Sequence, residues 1–209
     1  MTQAAAKRRY SVEQYLRLER DSHDKHEYDD GEILAMSGGS PTHSLIASNF
    51  NGELRGRLKG ERCHVYESNL RISVPGKRRY VYADGTVVCG PLEYDPADTK
   101  QETVANPEVI IEVLSPSTEK YDRTKKFDLY RAAASFREYV LVSQDAPRVE
   151  TFLRQPDGTW AFDVAAGLDA SVRLRSLNTG VPLAEIYAGV EFPAEPAPDP
   201  TPPGEPAEG

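Results

Sequence analysis

A single glutamate, Glu112, interrupts the apolar run Val109-Ile110-Ile111-Glu112-Val113-Leu114, and Pro107 and Pro116 bound that run on either side. A short β-branched stretch closed off in this way predicts a buried strand. Inside such a strand an ionised carboxylate is costly unless a partner compensates it or its pKa shifts. Glu112 therefore requires a cation, which a lysine, an arginine or a metal ion could supply. Which of these it is decides what the chain can do.

The 209 residues suffice for one domain with a substantial core. No run of about eighteen apolar residues occurs, and Met1 to Arg9 carries charge without an apolar segment, so neither a membrane span nor a secretory signal is expected and the location expected is cytoplasmic. Cys63 and Cys89 are too few and too far apart for a zinc site or a disulfide framework and read as reduced core residues. The net charge is −8, but residues 193–209 hold Glu195, Asp199, Glu205 and Glu208 with no Lys or Arg. An acidic total argues only weakly against nucleic acid, because binding depends on a local basic patch. The same segment has a proline every two or three residues and reads as a disordered tail. With residues 1–9 also expected to be disordered, the folded domain spans residues 10–192.

Along that domain, Ser11 with Gln14 forms a capping-box pattern that opens a short helix from Val12. His26 to Met36 reads as a hairpin around Asp30-Gly31. A helix from Pro41 or Thr42 to Leu58 places Leu45, Ile46, Asn49, Phe50, Leu54 and Leu58 on one face, with His43 in its first turn. Strands are expected over Cys63–Val74, Arg78–Cys89 and Glu108–Leu114. A helix over Asp122–Ala134, N-capped by Asp122, and a strand over Glu138–Ser143 follow. Arg148–Arg154 and Thr159–Val164 flank the turn Gln155-Pro156-Asp157-Gly158 and should pair as a hairpin. Val172–Leu174 and a turn over Leu183–Tyr187 close the domain.

Strand alternation puts Glu112 on one face with Ile110 and Leu114. In the strand expected over Arg78–Cys89, Tyr80, Tyr82, Asp84, Thr86 and Val88 share a face, so Asp84 is a second carboxylate within an apolar strand. If the two strands are neighbours, Asp84 and Glu112 converge. Two such acids suit a hard divalent cation, Mg2+ or Mn2+; the alternative is that each is a paired or rim residue. At about 100° per residue, Lys126 falls within the inner stripe of the following helix with Phe127, Leu129, Tyr130, Ala133 and Ala134, while Lys125 falls at its polar edge. An inward lysine there is either a plain ion-pair partner or the cation that steadies a hydroxide or a phosphate oxygen.

The run Pro107 to Thr118, then Tyr121-Asp122-Arg123, Lys126-Phe127, Tyr130 and Glu138 to Val142, resembles the Uma-two family of restriction endonucleases. Lys25 to Tyr28, Asp30-Gly31-Glu32, Met36, His43 and Tyr82-Ala83-Asp84 match the same pattern. The resemblance spans residues 10–192. It implies an α/β restriction endonuclease-like PD-(D/E)XK core, with a mixed central sheet flanked by helices and additional β-hairpins, and a metal-dependent site that hydrolyses phosphodiesters. On that pattern Asp84 is the motif aspartate, Glu112 the second acid and Lys126 the lysine. Ala83 stands in place of the usual proline, which ligates nothing. Leu114 stands where the wider superfamily keeps its lysine, which the resemblance places on the next helix, as the helical spacing of Lys126 also does. Glu27 and His43 match positions near the site, with pairing to a basic side chain as the alternative for Glu27 and capping or packing in its helix as the alternative for His43.

The resemblance implies that Asp84, Glu112 and the Val113 carbonyl hold one or two Mg2+ ions, with Mn2+ as a substitute, and that Lys126 orients water or stabilises the charge of the transition state. Glu27, His43 and Asp122 would support them. Arg55, Arg57, Lys59, Arg62, Lys77, Arg78 and Arg79 could face a phosphate backbone or be solvated surface charges. The substrate expected is DNA, and a homodimer is expected because a two-fold axis matches two scissile strands. A nucleic-acid or protein-binding module without catalysis, or a hydrolase of another phosphoester, fits the same residues.

Overall fold

The computed structural model describes residues 8–36, 38–74 and 76–192. The expected disordered segments at 1–9 and 193–209 fall outside these residues, apart from Arg8 and Arg9.

Local signals decide the first elements. Ser11 accepts from the Gln14 N–H and Gln14 returns a bond to the Ser11 N–H, opening α1 (Val12–Asp21). Strands β1 (His26–Asp29) and β2 (Glu32–Ala35) are joined at Asp30 and Gly31, both at positive φ (40° and 105°), the pair that a two-residue hairpin of matching twist requires. Ser40 caps α2 (Pro41–Arg57) through the His43 N–H, with Pro41 in the first turn, where a missing N–H costs nothing.

The next segments depart from expectation. The Cys63–Val74 region is not one strand but β3 (Cys63–Glu67) and β4 (Arg71–Ser73). Likewise Arg78–Cys89 divides into β5 (Arg79–Tyr82) and β6 (Gly85–Cys89), with Ala83-Asp84 between them. Both breaks have one cause: the chain leaves one sheet and enters another. Together with β7 (Thr103–Val104), β8 (Val109–Val113), β9 (Glu138–Val142), β10 (Arg148–Arg154) and β11 (Trp160–Ala166), these strands form two mixed sheets. One has the order β2-β1-β5-β4-β7 and the other β11-β10-β9-β8-β6-β3. Strands β12 (Ser171–Leu174) and β13 (Thr179–Pro182) form a small third sheet, followed by a single helical turn, Leu183–Ile186.

The alternation read along β8 is borne out by its packing. Val109, Ile111 and Val113 join Ile46, Phe50 and Leu54 of α2 in one core. Ile110 and Leu114 face the other way, into a core with Ile72, Val81, Leu129, Tyr130 and Tyr139. That second core lies between the sheets, and α1 covers the far side of the five-stranded sheet through Tyr15, Leu16, Tyr28 and Tyr80. The helix expected from Asp122 begins earlier, as α3 (Glu119–Tyr121), widens into a π-helical turn (Asp122–Lys126) and ends as α4 (Phe127–Tyr130). Asp122 is therefore no N-cap. It lies within the helix, buried.

Cys63 and Cys89, expected to be reduced, face each other in the β3–β6 ladder and are joined by a disulfide. Their 26-residue separation hides a registered cross-strand pair. Closing a loop of that length restricts the unfolded chain by about 3 kcal/mol in the chain-entropy account. Urea unfolding of the oxidised protein should therefore show a midpoint clearly above that of the Cys63→Ala/Cys89→Ala variant. Coincident curves, or two free thiols titrated in denaturant without reductant, would refute this expectation.

Candidate active site

Lys126 is the centre of a buried acidic cluster between the two sheets and bonds a residue of each. Its Nζ donates to Glu112 Oε1 at 2.9 Å and to the main-chain oxygen of Tyr82 at 3.0 Å. It also lies 3.5 Å from Glu27 Oε1 and 3.7 Å from Asp122 Oδ1. The inward orientation expected of Lys126 is observed, while Lys125 is exposed. Asp122, Lys126 and Tyr130 follow at four-residue intervals, all buried. Tyr130 donates its hydroxyl to Glu112 Oε1 at 3.2 Å, and Tyr121 donates to Glu27 Oε2 at 3.3 Å. Neither tyrosine was singled out by sequence as a participant, although both sit in the matched motif.

Asp84 reaches the same place by a different route from the one expected. Because β6 leaves β8 after the Gly85↔Ile111 pair, the Val113 N–H has no ladder partner on that side. The Asp84 carboxylate supplies one, with Oδ2 accepting from Val113 N at 2.8 Å. Its Oδ1 contacts His43 Nε2 at 2.9 Å. The expected common face of Tyr82, Asp84 and Thr86 does not exist, since they span the junction of two sheets. Convergence with Glu112 holds all the same, because Val113 is the residue next to it.

Electrostatics follow from burial and from an excess of acids. Burial pushes the Glu112 carboxyl well above its ordinary pKa; Lys126 opposes this, and Asp122 and Asp84 reinforce it. Asp122 is also raised, first by burial. Burial acts to lower Lys126, but the surrounding Glu112, Glu27 and Asp122 outweigh it and hold the ammonium well above its usual value. These directions agree: Glu112, Glu27 and Asp122 share one lysine, so the lysine keeps its proton, and Glu112 and Asp122 favour gaining one. The hydrogen bond to Asp84 raises His43, against the effect of burial.

Among the described residues no three His, Cys, Asp or Glu side chains form a group that could hold a metal ion by themselves. The donor set nonetheless fits a hard cation. Mg2+ ordinarily takes one or two carboxylates and fills its remaining positions with water or substrate phosphate. Asp84 and Glu112 with the Val113 carbonyl are oxygen donors of that kind, and Lys126 alone faces Glu112, Glu27 and Asp122.

Of the seven basic residues considered for a phosphate-binding surface, three are tied to acids: Arg57 to Glu53, Arg78 to Asp30 and Arg79 to Asp29. No helix among the described residues is long and apolar enough to cross a membrane.

The mixed α/β fold matches a solved structure. A crystal structure of an Anabaena variabilis protein, described as a "putative nuclease belonging to DUF820", superposes with a TM-score of 0.67 at 18% identity, covering 85% of this chain and 97% of that one. The model of the Uma2 family, described as "Putative restriction endonuclease", matches residues 12–184, and the chain belongs to that family. Two Synechocystis sp. relatives are the uncharacterized proteins slr1290, 36% identical over 87% of this chain and 93% of its own, and sll1609, 29% identical over 76% and 89%.

Proposed function

We propose that the chain is a divalent-metal-dependent endonuclease, with DNA as its substrate and Mg2+ as its ion, Mn2+ substituting. The observation that carries this reading is the convergence on Glu112 of Lys126 from one side and, through Val113, of Asp84 from the other. Family membership supports phosphodiester hydrolysis as the chemistry. Asp84, Glu112 and the Val113 carbonyl would hold the ion. When bound, it supplies Lewis-acid polarisation of the phosphate and a water of lowered pKa.

The chain's own residues do the remainder. Lys126, fixed by Glu112 and the Tyr82 carbonyl, holds a permanent positive charge beside the reacting phosphate. Glu27 and Asp122 keep that lysine protonated. Tyr130 limits the rotation of Glu112, and His43 aligns Asp84. Two copies related by a two-fold axis would address both strands of a duplex.

The test is cleavage of double-stranded DNA, single-stranded DNA, RNA and a small phosphodiester, with Mg2+ or with EDTA, by the parent and by Glu112→Ala. Mg2+-dependent DNA cleavage by the parent that falls by about 100-fold or more in the variant is expected. Equal cleavage by the two proteins would remove Glu112 from the mechanism. Raised thermal stability with Mg2+ but no cleavage of any substrate would favour a binding module.

A further inference from the structure

We propose that Asn51 is a positioning residue, which with Gly85 clamps the main chain of Asp84 so that its carboxylate reaches the Val113 N–H beside Glu112. The proposal rests on the role assigned to Asp84 above.

Asp84 lies between β5 and β6, outside both strands, so no ladder fixes its backbone. Three contacts hold the residue instead, one on its main chain and two on its carboxylate. Asn51 Nδ2 donates to the Asp84 carbonyl at 2.9 Å, His43 meets Oδ1 at 2.9 Å and Val113 N–H meets Oδ2 at 2.8 Å. Two of the three come from α2, where His43 and Asn51 are about two turns apart.

Stability alone does not explain an asparagine at this position. Asn51 is buried, and its Oδ1 has no hydrogen-bond partner among the described residues. A buried amide oxygen left unpaired is unfavourable; an apolar side chain of similar size would avoid that cost but would leave the Asp84 carbonyl without this donor. What asparagine alone contributes is the donor aimed at Asp84. The reverse amide orientation would set oxygen against oxygen.

Gly85 provides the space for this. A Cβ at that position would lie 2.3 Å from Asn51 Oδ1, with the flexible end of Ile111 next at 3.2 Å. The φ of Gly85 is not in the left-handed region, so the backbone itself would accept alanine. The missing side chain is needed because Asn51 occupies its place.

The experiment compares the parent, Asn51→Ala, Gly85→Ala and the double variant, with folding followed by circular dichroism. Two quantities are read: the Val113 amide resonance in metal-free protein, and kcat against KM for Mg2+-dependent DNA cleavage. Each single variant should move the Val113 resonance and lower kcat about 10- to 100-fold, the range seen for groups that orient a metal ligand, with substrate KM little changed. The double variant should lose no more than the worse single variant, because Gly85→Ala acts only through Asn51. An unmoved Val113 resonance in Asn51→Ala, or losses that multiply in the double variant, would overturn the proposal. If Asn51→Ala does not fold, Asn51→Asp, isosteric but with an acceptor facing the carbonyl, is read in the same way. If the parent does not cut DNA, the nuclease reading fails and the Val113 resonance still decides the role of Asn51.

Discussion

Lys126→Ala is expected to lose about 3–5 kcal/mol of folding stability at pH 8, the range for breaking a buried ion pair from one side. Lys126 is 6% exposed and Glu112 3%, so water cannot replace the missing ammonium. The variant leaves Glu112, Glu27 and Asp122 facing each other without the cation that lies 2.9, 3.5 and 3.7 Å from them. The loss should shrink on acidification, and the sign follows from linkage. Glu112 and Asp122 have folded pKa values above their ordinary ones, and removing the lysine raises them further. Such groups bind protons more tightly in the folded state, so the folded state gains as pH falls towards the unfolded value of about 4. Urea unfolding of metal-free parent and variant at pH 5 and pH 8 measures both points. A difference below about 1 kcal/mol, or one unchanged between the two pH values, would show that Lys126 does not compensate these acids.

Asp84→Asn should behave in the opposite way, with activity lost and the fold kept. Its amide oxygen can still accept from Val113 N–H and its amide nitrogen can face neutral His43, so stability at pH 8 should stay within about 1 kcal/mol of the parent. Cleavage should fall by about 100- to 1,000-fold in kcat, because a neutral amide is a poor ligand for a hard divalent ion. A deficit in stability should grow as pH falls. The raised pKa of His43 marks stabilisation that is fully present below its unfolded value of about 6.5 and is lost as pH rises through the folded value. Wild-type cleavage by Asp84→Asn would exclude the carboxylate from catalysis.

Wherever neighbouring residues decided the outcome, the fold was legible in the sequence. The Ser11–Gln14 box, the Asp30-Gly31 turn and the alternation around Glu112 all appear where local chemistry puts them. What escaped depends on tertiary choices. The one hint between Arg78 and Cys89 that the chain changes sheets is the turn dipeptide Asp84-Gly85, which the good strand patterns on either side outweigh. The Cys63–Cys89 bond depends on a register that spacing does not reveal. Asp122 has the composition of an N-cap, but the helix begins three residues earlier and takes it inside. Asp84, Glu112, Lys126 and Glu27 could be named from the motif pattern, whereas Asn51 could not. Its one usable signal, an asparagine on the inner side of a helix, looks like ordinary core polarity until Gly85 is seen beside it.

The passage from β5 to β6 sets how the site responds to mechanical disturbance. Asp84 marks the seam between two sheets, Glu27 belongs to one of them and Glu112 to the other. If the site binds its ion as proposed, its affinity for that ion follows the docking of the sheets. A substitution that loosens the apolar layer between them, at Ile72 or Val81 for example, should weaken ion binding at temperatures where both sheets are still intact.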